Sequence, residues 1–84
     1  MTATRPGEQE IRDWLTRRVA TALDVPPGEI DTASEFPSFG VDSVTAVAVT
    51  GDLEQWLGRT LDPTLLFTYS TIDTLAKHLA TEES

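Results

Sequence analysis

The chain contains no cysteine, which excludes both a disulfide framework and a thiolate metal site as supports for the fold. It has a single histidine, too few imidazoles for a histidine-based metal centre. Basic residues are also scarce: six Lys and Arg stand against 14 Asp and Glu, a formal charge of −8 over 84 residues. So few cations cannot offset a phosphate backbone, and a nucleic-acid surface is excluded. The balance suits basic partner surfaces, or simple solubility. No apolar run approaches membrane-spanning length, and the N-terminus lacks the charged-then-apolar profile of a signal peptide. β-Alternation of useful length, internal repeats and low-complexity tracts are missing too. These absences leave one soluble cytoplasmic domain with one core, built from helices.

What is present is helical periodicity. Residues 1–6 read as a flexible leader. From about Gly7 to Leu23, Ile11, Leu15, Val19 and Leu23 recur every four residues, with Trp14 and Ala22 beside them. Glu8, Gln9, Arg12, Asp13, Arg17 and Arg18 take most of the remaining positions. This is an amphipathic helix, and Pro26-Pro27-Gly28 is expected to end it. The connection from about Val25 to Asp42 is long, and such loops are usually functional or anchored. Its anchors are Ile30, Phe36 and Phe39, with a polar turn from Asp31 to Glu35 between them. Pinned in this way, the loop fixes where Ser43 points.

In Phe39-Gly40-Val41-Asp42-Ser43-Val44 the chain turns at Gly40, where a side chain would obstruct it, and enters a helix. Asp42 and Ser43 are both good N-cap residues. Ser43 lies where the first N–H groups lack partners and the helix dipole is positive. A phosphate ester on its hydroxyl would be an anion at a favourable site. The helix is expected over Ser43–Leu57, stopped by Gly58. Turning about 100° per residue puts Ala46, Val49, Leu53, Trp56 and Leu57 on a core stripe. Ser43, Val47, Thr50 and Glu54 share another face, flanked by Val44, Ala48 and Gly51. Either that face is a docking patch around the serine, or the helix buries more than one stripe.

Asp62-Pro63-Thr64 reads as the cap of a short third helix, with Leu61, Leu65, Leu66, Phe67 and Tyr69 as apolar closure. Ser70 and Thr71 open the last helix, Asp73 standing three residues after Ser70 as in a capping box. Ile72, Leu75, Ala76 and Leu79 form its core face, with Lys77 and His78 near its C-terminal end. Residues 81–84 read as a flexible tail, leaving 7–80 as the folded domain.

The stretch from Phe36 to Val44, Phe-Pro-Ser-Phe-Gly-Val-Asp-Ser-Val, resembles the attachment signature of acyl carrier proteins. The likeness covers nearly the whole chain. After the leading helix and proline-bearing loop come the aspartate-serine turn, Asp52-Leu53-Glu54, Leu61 to Phe67, and Tyr69-Ser70-Thr71-Ile72. It is closest to the carriers of polyketide synthases; peptidyl carriers usually show another glycine or histidine before the serine, where this chain has Val41-Asp42. The resemblance implies an all-α fold, a small four-helix bundle with a long loop between the first two helices and a short third helix. It implies that Ser43 receives 4′-phosphopantetheine from coenzyme A through a separate phosphopantetheinyl transferase, with Asp42 helping to orient that enzyme's magnesium and the phosphate. The arm's thiol then bears acyl intermediates as thioesters, which lets a cysteine-free chain handle thioester chemistry. Implied partners are a ketosynthase, an acyltransferase or an acyl-activating ligase of polyketide-type biosynthesis, met by a monomeric carrier.

Val44, Val47 and Glu54 are the expected docking residues around Ser43. Carriers of this type often have an acid where Ala48 stands, a base where Thr50 stands and a proline where Ser70 stands; the first two departures weaken an acidic docking surface. Rival readings fare differently. A hydrolase of Ser43, Asp42 and His78 fails because adjacent Asp42 and Ser43 cannot make the relay through a histidine, and no Gly-x-Ser-x-Gly elbow is present. No catalytic residue and no metal ligand is therefore assigned. An unmodified helical adaptor, with Ser43 only an N-cap, and a peptidyl carrier of a nonribosomal pathway remain as alternatives.

Overall fold

The computed structural model describes residues 7–81. The leader expected over 1–6 and positions 82–84 of the expected tail lie outside the described residues, whereas Thr81 is the last residue of a helix. Four α-helices follow in order: α1 (Glu8–Leu23), α2 (Ser43–Leu57), α3 (Leu65–Thr68) and α4 (Ile72–Thr81). This is the all-α, four-helix architecture expected, and no strand is present among the described residues. The sheet-like feature among the described residues is an isolated antiparallel bridge between Glu35 and Thr71.

α1 starts where the Gly7 N–H donates to Glu10 Oε1 at 3.0 Å, and its early acids suit the positive end of the dipole. Ile11, Leu15 and Val19 are buried as the four-residue spacing requires, joined by Ala20; Ala22 is exposed instead of flanking the core. The prolines do not end the helix. Asp24 does, by adopting the left-handed conformation at φ 60 and ψ 47. Its N–H reaches Thr21 O at 3.2 Å and the Val25 N–H reaches Ala20 O at 3.0 Å, a Schellman closure. Aspartate tolerates this conformation better than most residues.

α1 packs chiefly against α4. The core joins Ile11, Leu15 and Val19 to Ala46, Val49 and Leu53 of α2 and to Ile72, Leu75, Ala76 and Leu79 of α4. Phe36, Val41, Leu61, Leu65 and Leu66 close it from the connections. Among the described residues, ion pairs cross between helices from Arg12 to Asp73 at 2.9 Å and from Arg18 to Asp52 at 2.6 Å. Pairs this exposed add little to stability.

Trp56, Thr50 and Phe67 also depart from their expected places. Trp56, phased to the core stripe, is 38% exposed and stacks on Trp14 with ring centroids 5.1 Å apart and planes 8° apart. Thr50, phased to the serine's face, is buried; its hydroxyl donates to Ala46 O at 2.8 Å, so it carries no unsatisfied group into the core. Phe67 is 52% exposed and closes nothing. The cap of α4 differs as well. Thr71 and Thr74 exchange bonds, the Thr74 N–H to Thr71 Oγ1 at 3.0 Å and the Thr71 N–H to Thr74 Oγ1 at 3.3 Å. Asp73, expected to close a box with Ser70, faces Arg12 instead.

Candidate functional site

The connection leading to Ser43 is built in steps. Asp31 folds the polar turn on itself: Oδ1 accepts from the Ala33 N–H and Oδ2 from the Ser34 hydroxyl, both at 3.0 Å. Such local bonds are what aspartate favours over continued helix. Phe36–Phe39 then form a 3₁₀ turn in which Phe36 is buried and meets Phe39 edge to face at 6.0 Å. Ile30 and Phe39 are half-buried against the core. A fourth anchor, Val41, is buried beside the three that the sequence spacing predicts. Its signal was available, as an apolar residue held between a turn glycine and a polar cap.

Gly40 sits at φ 101, where any other residue is strained. Space is not the constraint, since an added Cβ would meet only Leu23 Cδ2 at 3.9 Å. The Val41 N–H returns to Phe36 O at 3.1 Å and closes the turn. Main-chain bonds tie the same loop to the entry of α4: the Phe36 N–H to Ser70 O at 2.8 Å, and the Asp73 N–H to Thr32 O at 3.0 Å. Position 70 thus contributes through its carbonyl.

Asp42 caps α2. Its backbone is extended, and Oδ1 accepts from the Thr45 N–H at 2.8 Å. That backbone bond, helped by the Thr45 side chain, holds the Asp42 carboxyl below the usual carboxylate range. Ser43 is therefore not a cap but the first helical residue. Its side chain is exposed and makes no hydrogen bond to the described residues. The N–H groups of this first turn have no intrahelical acceptors and bear the positive end of the dipole. An anionic ester on Ser43 Oγ fits here: the oxygen is accessible, uncommitted, and set at the start of a 15-residue helix.

Beside the serine, Val44 is 77% and Val47 54% exposed, so the helix does not bury a second stripe at Val47. Ala48 is exposed on the same side. Glu54 is turned elsewhere: its Oε2 accepts from the Leu61 N–H at 2.6 Å and fastens the connection after α2. His78 stacks on Tyr69 at 4.0 Å. Both line a cleft of about 280 Å³ with Arg59 and Asp62, and none of residues 36–47 contributes to it. The three members of the rejected hydrolase are thus not assembled into one site. Among the described residues no cluster of acids or histidines is placed to hold a metal, and no helix is long and apolar enough to cross a membrane.

Comparison with known proteins adds the family. The family model described as the phosphopantetheine attachment site matches residues 13–79. A phenolphthiocerol/phthiocerol polyketide synthase of Mycobacterium tuberculosis is 36% identical over 83 residues, a match covering 99% of this chain and 4% of the synthase. The chain thus spans only a small part of the synthases it resembles. Among solved structures, a free-standing peptidyl carrier protein of Acinetobacter baumannii superposes with a TM-score of 0.87 at 38% identity, covering 90% of this chain and 95% of that one. An acyl carrier protein of Anabaena with a variant phosphopantetheinylation-site sequence gives 0.83 at 40% identity, covering 95% and 92% respectively.

Proposed function

This chain belongs to the phosphopantetheine-attachment family, whose members are carriers bearing that arm, and we propose that Ser43 is the residue that holds it. The observation that carries the assignment is the Ser43 hydroxyl, exposed on the first residue of α2 and uncommitted among the described residues. When bound, the arm supplies a terminal thiol on which acyl groups travel as thioesters. The chain's own residues hold and aim it. The first turn of α2 stabilises the phosphodiester's charge, Asp42 keeps that turn formed and helps orient the transferase's magnesium, and Gly40, Val41 and Phe36 keep the turn in place.

The chain itself performs no chemistry. It acts as a monomer in the cytoplasm, loaded by a phosphopantetheinyl transferase and visited by a ketosynthase, an acyltransferase or an acyl-activating ligase. A polyketide-type pathway is favoured by the synthase relatives. A peptidyl role is the second reading, favoured by the likeness to the Acinetobacter carrier. Docking falls to Val44 and Val47, with Glu54 as a peripheral charge. Incubation with a promiscuous transferase and coenzyme A, followed by intact mass, tests the assignment. One phosphopantetheine should be gained by the native chain and none by Ser43→Ala. Loading that persists in Ser43→Ala would remove Ser43 from the role.

A further inference from the structure

The loop that presents Ser43 is held from outside by α4, and the residue that does so also reaches α1. The Asp73 main-chain N–H donates to Thr32 O at 3.0 Å, while its side-chain Oδ1 accepts from Arg12 Nε at 2.9 Å. Asp73 therefore joins α1, α4 and the loop at one point. Arg12 is aimed at it by two further bonds, Nη1 to Gln9 Oε1 and Nη2 to Glu8 Oε2, both at 2.8 Å. All three guanidinium nitrogens are engaged, a fork that lysine cannot reproduce. Four residues beyond Thr32, the Phe36 N–H is bound to Ser70 O, and Phe36 O in turn receives the Val41 N–H. Any shift of the Asp73 turn is thus passed through Phe36 to Val41, next to the cap of α2.

We propose that Asp73, braced by Arg12, is a positioning residue for attachment at Ser43, setting the loop in the one arrangement that offers the serine correctly. The proposal rests on Ser43 being the attachment residue. The two side chains are 41% and 27% exposed, so their pairing adds little to global stability. Its effect falls on the population of correctly placed loops. When only a fraction of molecules is competent to bind, apparent affinity falls by that fraction while turnover of the bound complex is unchanged.

The test is steady-state loading of apo-carrier by a transferase, using Arg12→Gln, Asp73→Asn and the double variant, with amide exchange on the same samples. Each single variant should raise KM by up to about threefold, the ceiling set by one half-exposed ion pair, and leave kcat unchanged. The double variant should be no worse than either single one, as for two halves of one interaction. Amides of Phe36 and Val41 should exchange faster, and those of Val49 and Leu53 should not. An unchanged KM in both single variants overturns the proposal. So does a multiplicative effect in the double variant, or exchange that quickens equally throughout α2. Failure of the native chain to load would count against the Ser43 assignment, and the exchange comparison would still decide whether Asp73 holds the loop.

Discussion

Val47 and Val49 stand two positions apart on α2 and meet opposite environments: one is 54% exposed, the other fully buried. The same contrast divides the whole helix. Ala46, Val49, Thr50 and Leu53 are buried, while Val44 and Val47 are exposed beside Ser43. Side-chain type does not separate the two faces; the presence of an opposing surface does. The outward valines contribute little to folding because they stay in water, so the docking role proposed for them is separable from stability.

That separation can be broken most directly at Leu53. Leu53→Ala should cost about 2–5 kcal/mol, a large share of a small domain's stability, whereas Val47→Ala should stay within about 0.5 kcal/mol. Urea melts that rank the two in the other order would erase the distinction. Binding should invert it. Val47→Asp, tolerated by the free protein, should weaken a cognate enzyme's affinity about tenfold or more by placing an unpaired charge in a drying interface. Glu54→Gln should do less, since that side chain is engaged with Leu61. Association rates should fall only moderately with salt. Titration against the pantetheinylated carrier checks this, and a larger effect at Glu54 would make docking electrostatic.

Smaller effects sharpen the picture at the start of the helix. The Asp42 carboxyl titrates below its ordinary 3.8 because it accepts the Thr45 N–H. Its contribution is therefore complete above 3.8 and is lost as pH falls through the depressed folded value. Asp42→Ala should unfold at a lower temperature than the native chain at neutral pH, and calorimetry should find that gap narrowing in acid. Ser43→Ala should be the mildest change to the fold, within about 0.5 kcal/mol, because the serine is not the cap.

Periodicity made α1, α2 and the core face of α4 legible, since a 3.6-residue repeat encodes which side is buried. The turn to Ser43 was legible because Gly40 and Asp42 each have a specific backbone use. Other features left no such mark. Asp42 and Ser43 are equally good caps by type, and only geometry assigns the role. Thr50 looks polar, yet its hydroxyl is satisfied within its own helix and enters the core at little cost. Trp56 looks apolar, yet it stacks on Trp14 at the edge of the core and stays partly exposed. The ties from Phe36 to Ser70 and from Asp73 to Thr32 run through main-chain atoms, which every residue shares.

Both tryptophans of the chain are spent on one stacked pair. Trp56 lies 13 residues along α2 from Ser43, about 20 Å at the helical rise. Indole rings this close couple electronically, so the fluorescence of the pair depends on the stack holding together. The stack therefore reads the seating of α1 on α2. The protein thus carries an internal optical gauge of how α1 sits on α2, placed at the far end of α2 from Ser43.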